Sequence, residues 1–198
     1  VPKMSLPFIT TFLLVVPTIG PVSAVAGSLS GQVLVTRKLT RKVLSSATYN
    51  LRGATVSLTP ADPDTATEYG RMVVFLEGGP PARTQPLTAV LDQRGQRFVP
   101  GLLVVPVGST VVFPNGDPIF HNIFSLSRTK QFDLGYYPQG QSRSVRFERS
   151  GVVQVYCHIH PNMYAAIMVT DSPWHARPAE DGSFGWNDIP GGVYRLVV

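Results

Sequence analysis

Cys157, His160 and Met163 have the types and spacing of residues that bind a metal in one short loop. They form a C-x-x-H-x-x-M motif inside the stretch VYCHIHPNM, directly after the apolar, alternating segment VVQVYC. A tight loop that follows a strand can fold three such side chains back onto one point. A thiolate, an imidazole and a thioether together select a soft or borderline metal, above all copper.

A second imidazole is available at His121, in the stretch FPNGDPIFHNIFS. The Pro and Gly residues before it predict a shaped loop between two strands. Two imidazoles and one thiolate in a trigonal plane, with a weak axial methionine, form the blue-copper arrangement. Cys157 is the only cysteine, which excludes an internal disulfide and c-type haem attachment. The residues alone leave three other roles open for it: a buried inert thiol, a disulfide to another chain, or a catalytic nucleophile.

The remaining polar residues near the motif are interpreted as supporting ones. Strand-like alternation points His158 away from the side of Cys157, which predicts a surface histidine or one that supports a ligand. Whether His158 replaces or supplements a ligand stays open at this point. Asp117 and Asp133 are interpreted as turn and cap residues, because carboxylates suit harder metals.

Short strands must position these residues. The 198-residue chain contains 18 Gly and 18 Pro, and runs of Val, Thr, Phe and Tyr lie between them. Examples are RMVVFLE, SVRFE and MYAAIMV, and the sequence shows no convincing long helix. This pattern predicts an all-β sandwich or barrel.

Charge and composition exclude some classes of function. The formal net charge is +5, which is small and scattered, and no nucleic-acid-reading motif accompanies it. We therefore expect no nucleic-acid partner. The densest basic run, Thr36–Lys42, is interpreted as a solvated hairpin, with a docking patch for an acidic partner as the alternative.

Residues 1–26 resemble a bacterial export signal. Lys3 precedes an apolar stretch, and Ala24, Val25 and Ala26 form a small-x-small cleavage signal. Cleavage of this segment and its retention as a membrane anchor are both open, with membrane association through residues 5–26 in the second case. The expected location is the bacterial periplasm, in a soluble or a membrane-anchored form.

The stretch from about Arg97 to Thr170 resembles the cupredoxins, the group of plastocyanin, amicyanin and azurin. The resemblance rests on the His121-Asn122 pair and on the short, amicyanin-like C-x-x-H-x-x-M loop. FDLGYY and GVVQVYCHIHPNMYAAIMV are also similar to exported plastocyanin-like proteins labelled methylamine-utilisation proteins. The resemblance implies a Greek-key β-sandwich with one type 1 copper. It also implies the ligands and their support: His121, Cys157 and His160 equatorial, Met163 axial, and Asn122 bonded to the ligand loop.

The same resemblance implies a carrier of single electrons rather than an enzyme. In the family, the exposed edge of the C-terminal ligand histidine passes the electron, and nearby apolar residues dock the partner. Here these positions are His160, Pro161, Tyr164, Phe120 and Pro118. The expected partners are redox proteins such as a c-type cytochrome or a membrane complex.

Two stretches at the ends of the chain resemble the halves of a carboxypeptidase regulatory-like, or transthyretin-like, β-sandwich. They are GQVLV…LRGATVSLTP and DGSFGWNDIPGGVYRLVV. The residues between them are too many for a loop inside a compact domain. This predicts a split sandwich of residues 27–64 and 173–198 with the cupredoxin-like domain, 65–172, inserted. The alternative is one continuous sandwich decorated at both ends.

Other classes of function are weighed against the electron carrier. A cupredoxin-like accessory subunit of a membrane-bound electron-transfer or photosynthetic complex fits the added sandwich and the basic surface. Copper storage or delivery usually involves repeated Met or His residues. This chain has only four of each, which argues against that role. A catalytic copper would need more histidines than His158 and His175 provide. The neighbouring methionine argues against a thiol hydrolase.

Overall fold

The computed structural model describes residues 26–36, 68–80 and 84–198. The regular structure in these ranges consists of β-strands and one 3₁₀ turn at Tyr69–Arg71, which confirms the all-β prediction. No helix in the described ranges has both the length and the apolar character that crossing a membrane requires. The predicted export signal (except residue 26), the strand predicted at Tyr49–Pro60 and most of the basic run lie outside the described residues.

Fifteen strands are numbered in chain order through the described residues. Their bounds are β1 Gly27–Gln32, β2 Val74–Gly78, β3 Thr88–Val90, β4 Asp92–Gln93, β5 Phe98–Val99, β6 Leu102–Pro106, β7 Thr110–Pro114, β8 His121–Ser127, β9 Lys130–Tyr137, β10 Ser142–Arg146, β11 Gly151–Tyr156, β12 Tyr164–Thr170, β13 His175–Ala176, β14 Ser183–Ile189 and β15 Tyr194–Val197. Most of the strands are short, as the frequent Gly and Pro residues predict.

Two of the sheets form a sandwich around one apolar core. The larger sheet has the strand order β6-β12-β11-β8-β9, and the smaller has the order β10-β7-β3. Strands β6 and β12 are parallel, as are β3 and β7, whereas the other neighbours in these sheets are antiparallel. The buried cluster contains Val111 and Phe113 of the smaller sheet together with Val155 and Ile167 of the larger one. The two sheets therefore share a single core.

Alternation along β11 and β12 explains why these residues form strands. In β11, Val153 and Val155 are fully buried, whereas Val152 and Gln154, which alternate with them, are exposed. In β12, Ile167 and Val169 are likewise buried. A period of two places every second side chain in the core, and β-branched residues suit the pleated surface. This register also decides which side of the sheet Cys157 faces.

The described residues near the two ends of the chain form two further sheets. Strand β1 pairs antiparallel with β14, and β2 lies between β13 and β15. Strand β2 belongs to the range 65–172 predicted for the inserted domain, yet its neighbours belong to the range 173–198. Because much of residues 27–64 lies outside the described ranges, the division into domains stays a prediction.

Candidate metal centre

Three donor atoms converge at one end of the sandwich. They are Nδ1 of His121, Sγ of Cys157 and Nδ1 of His160, and ligand atoms of the three residues lie within 4.8 Å of one another. His121 is fully buried, Cys157 is buried, and His160 is partly exposed. The structure therefore brings together three of the four residues predicted as ligands into one cluster that can hold a metal ion.

Strand pairing places His121 and Cys157 side by side. His121 is the first residue of β8, and Cys157 directly follows β11. These strands are neighbours in the larger sheet and are paired at Phe124 and Tyr156. The end of one strand and the start of its antiparallel neighbour therefore meet at the same edge of the sheet.

The loop from Cys157 to Met163 is a closed hairpin connection between β11 and β12. The backbone N–H of Cys157 donates to the carbonyl of Met163 at 3.2 Å. The N–H of Met163 donates to the carbonyl of His160 at 2.9 Å, which closes a four-residue turn with Pro161 in its second position. Proline presets the backbone for that position of a turn. This turn fixes the place of His160 relative to Cys157.

Asn115 shapes the loop that leads to His121. Its side-chain amide donates to the carbonyls of Ile119 and Tyr137, and its Oδ1 accepts from the backbone N–H of Asp117. Asn115 is only 1% exposed, so these bonds satisfy a buried side chain. They hold the loop in one conformation and set the position from which His121 starts β8.

The separations between the three donors fit a shared metal ion. His121 Nδ1 lies 3.1 Å from His160 Nδ1, and Cys157 Sγ lies 4.0 Å and 3.6 Å from these two nitrogens. Donors that share one ion at bond lengths of about 2.0–2.3 Å lie about 3.3–3.8 Å apart. The observed separations bracket that range, and one sulfur with two imidazole nitrogens suits copper or zinc.

Met163, the fourth predicted ligand, is part of the same buried core as Cys157. Its side chain is 1% exposed, and its backbone closes the ligand loop through bonds to Cys157 and His160. The structure thus places Met163 beside the cluster. Its role as an axial ligand belongs to the function proposed below.

Asp117 contacts His121 on the side of the ring that faces away from the cluster. The sequence interpretation missed this contact. Its Oδ2 lies 2.9 Å from Nε2 of His121, on the side of the ring opposite the cluster. The backbone N–H groups of Gly95 and Gln96 donate to its two oxygens at 2.6 and 2.7 Å. Burial by itself raises the pKa of Asp117, but these bonds and His121 lower it below its ordinary value. The i,i+4 spacing of Asp117 and His121 was the signal available in the sequence.

Asn122 connects the two ligand segments. Its Oδ1 accepts a bond of 3.3 Å from the backbone N–H of His158, and its Nδ2 donates to Asp133 at 2.7 Å. The His158 ring is exposed and stacks on Phe124, with ring centroids 3.9 Å apart. His158 is not part of the metal cluster found among the described residues.

The chain segments next to His160 and His121 expose several apolar side chains. Of the residues predicted to dock a partner, Phe120 is 56% exposed and Tyr164 is 61% exposed, and Pro118 and Pro161 are also exposed. Two further exposed side chains were not predicted: Ile119, which lies between Pro118 and Phe120, and Ile159, which directly precedes His160. Together these six residues are called the apolar rim.

The pKa of His160 predicts a pH-dependent stability. Burial, and then the neighbouring His121, lower this pKa below its ordinary value of 6.5, and Asp117 opposes the shift. Between the lowered folded value and 6.5, the unfolded chain binds more protons than the folded one. We therefore expect the free energy of unfolding of the metal-free protein to decrease as the pH falls through 6.5 and to level off below the folded pKa.

Denaturant unfolding at a series of pH values checks this expectation. The His160→Gln variant should lose its part of the slope below pH 6.5, and His158→Gln serves as the control for changing a neighbouring, exposed imidazole. Identical slopes in wild type and H160Q would contradict the prediction.

Comparisons with known proteins give partial structural matches only. No family model and no curated protein matches the sequence. A reduced amicyanin variant is 24% identical over 41% of this chain and 80% of its own, with a TM-score of 0.39. An amicyanin variant in its reduced Cu(I) form is 20% identical over 49% and 98%, with a TM-score of 0.40. A purple cupredoxin from Nitrosopumilus maritimus is 27% identical over 41% and 96%, with a TM-score of 0.37.

Proposed function

We propose that this chain carries single electrons through one type 1 copper. The observation that carries the proposal is the convergence of His121 Nδ1, Cys157 Sγ and His160 Nδ1 at the end of the sandwich. One thiolate and two imidazoles are the equatorial donors of a blue-copper site, and Met163, which is buried in the same core as Cys157, is the proposed weak axial ligand. Copper in such a site supplies a one-electron couple between Cu(I) and Cu(II).

The protein's own residues hold the donors in place and keep water away. His121 begins β8 and Cys157 directly follows the neighbouring β11, and the closed turn before Met163 holds His160. The buried side chains around Cys157 limit the access of solvent to its sulfur. Donors fixed in this way need little rearrangement when the charge at the site changes, which favours fast electron exchange.

His160 is the proposed exit for the electron. It is the only one of the four proposed ligands that is not buried. The apolar rim lies on the chain segments next to His160 and His121, and its exposed side chains offer a surface that a redox partner can cover without burying charges. The proposed partners are a c-type cytochrome or a membrane complex in the bacterial periplasm, with the chain soluble or anchored through residues 5–26.

The two histidines outside the cluster make contacts elsewhere, and the proposed role is non-catalytic. His158 is exposed and stacked on Phe124, and Nδ1 of His175 lies 2.9 Å from the carbonyl of Ser172. Neither belongs to a second metal cluster among the described residues. A catalytic copper would need such additional ligands.

A second candidate is an accessory subunit of a membrane-bound electron-transfer or photosynthetic complex. It is favoured by two sheets near the ends of the described chain, β1-β14 and β13-β2-β15, which contribute nothing to the metal cluster. These sheets can serve as scaffolding. Measuring the copper content and identifying co-purifying proteins would distinguish the electron carrier from the accessory subunit.

Visible absorption and electron paramagnetic resonance on the copper-loaded protein test the proposal. The carrier should show an intense blue, green or purple thiolate-to-copper band and a narrow copper hyperfine splitting. A colourless protein that takes up no copper would overturn it, and the accessory role would then be favoured.

A further inference from the structure

We infer that Asp117 is a positioning residue for the ligand His121, and that its negative charge favours Cu(II) over Cu(I) at the neighbouring site. The positioning part concerns this chain alone. The part about oxidation state rests on the proposed function and deepens it, because it names a residue that sets the reduction potential.

Geometry supports the positioning. Asp117 Oδ2 lies 2.9 Å from Nε2 of His121, and the ring is fully buried, so it has no solvent partner. Both oxygens of Asp117 already accept backbone N–H bonds, from Gly95 and Gln96. A carboxylate held by two donors is an acceptor, so Nε2 of His121 must donate the proton. The lone pair of His121 is then on Nδ1, which faces Cys157 and His160.

The surroundings of Asp117 keep it in one place. It is 7% exposed, and its own backbone N–H donates to Asn115, whose amide is bonded to the carbonyls of Ile119 and Tyr137. Rotation of the carboxylate away from His121 would leave buried donors without acceptors, which is costly. The ring of His121 is therefore held in one orientation and one tautomer. Hydrogen-bond partners of metal-binding histidines commonly have this effect.

The charge on Asp117 acts on the copper through His121. A carboxylate that accepts the ring proton makes the imidazole a stronger donor. A stronger donor beside a fixed negative charge stabilises the ion with the greater positive charge. Asp117 should therefore lower the reduction potential of the site.

Nuclear magnetic resonance of the metal-free, ¹⁵N-labelled protein tests the positioning without copper. Wild-type His121 should be in the tautomer with the proton on Nε2, and that proton should exchange slowly with water. Asp117→Ala should change the tautomer or speed the exchange. A wild-type proton on Nδ1, or a D117A variant in which both properties are unchanged, would overturn the inference.

Copper titration and potentiometry test the effect on oxidation state. Asp117→Ala should weaken Cu(II) binding by about 10–100-fold. Asp117→Asn keeps an acceptor for the ring but removes the charge, so Cu(II) affinity should fall about tenfold more than Cu(I) affinity. This difference corresponds to a rise of about 59 mV in the reduction potential.

Asp92→Asn is the matched control. Strands β4 and β5 pair antiparallel and form a hairpin, and Asp92 lies in its first strand. Asp92 accepts from the backbone N–H of Gln93 and pairs with Arg94, and it has no bond to His121. D92N should keep the wild-type potential, and equal potentials in wild type, D117N and D92N would overturn the role of the charge. If the wild type binds no copper while D117A alters His121, the proposed function fails and the positioning stands. Co(II) affinity then measures the effect of the charge.

Discussion

Replacing Cys157 with serine should abolish the intense visible absorption of the copper-loaded protein. The band requires a thiolate bound to copper, and the serine hydroxyl is a harder donor that stays protonated at neutral pH. Copper affinity should also fall, by at least the 10–100-fold (about 1.4–2.8 kcal/mol) that loss of a residue supporting a ligand typically costs. Serine is close in size to cysteine, so the side chain still fits its site, which is 5% exposed.

The neighbouring histidine provides the control. His158→Gln changes the next residue along the chain, whose exposed ring stacks on Phe124 rather than joining the cluster. H158Q should keep the band and the hyperfine splitting. An unchanged band in C157S would show that Cys157 is not the ligand, and loss of the band in H158Q would require a role for His158 at the metal.

Replacing Phe113 with alanine should lower the free energy of unfolding by about 3–5 kcal/mol. Phe113 is fully buried in the shared core, and its ring packs near Phe132 of the facing sheet, with centroids 6.0 Å apart. Alanine would remove most of the buried side chain and leave a cavity that the β-sheets can only partly close. Denaturant unfolding of the metal-free protein measures the loss.

Phe120 is the matched control because it is the same residue type on the surface. It is 56% exposed on the apolar rim, so Phe120→Ala should change the free energy of unfolding by no more than about 0.5 kcal/mol. Similar losses in F113A and F120A would contradict the assignment of Phe113 to the core.

The strands of the sandwich could be predicted from the sequence because their signals are local. The alternation in VVQVYC, residues 152–157, predicted a strand, and the structure has one at Gly151–Tyr156 with Val153 and Val155 inward. SVRFE was predicted as a strand over residues 144–148, whereas β10 spans Ser142–Arg146, so the boundaries are less certain than the elements. The C-x-x-H spacing identified two donors of the cluster for the same reason, because one short loop holds both.

The role of Asp117 could be predicted only in part, because His121 is four residues away but its other partners, Gly95 and Gln96, come from a distant part of the chain. Gly95 and Gln96 reach it from the β4–β5 hairpin, and His121 reaches it from the start of β8. The position of Asp117 between Gly116 and Pro118 is also typical of a turn, which agrees with its interpretation as a turn or cap residue. The exposure of Ile119 and Ile159 could not be predicted from the sequence either, because the burial of a single apolar residue in a loop depends on the whole fold.

The pairing of β1 with β14 affects how the protein can be made. Gln32 of β1 donates from its side chain to the carbonyl of Asp181, across 149 positions of sequence, and the ladder itself extends to Gly27 and Ile189. During synthesis β1 leaves the ribosome long before β14 has been translated. It therefore stays unpaired while the sandwich residues between the two strands are made. Contacts this distant slow folding, and an unpaired strand edge is a site for wrong associations. We therefore expect folding of the β1–β14 sheet to follow release of residues 183–189, after the sandwich has formed.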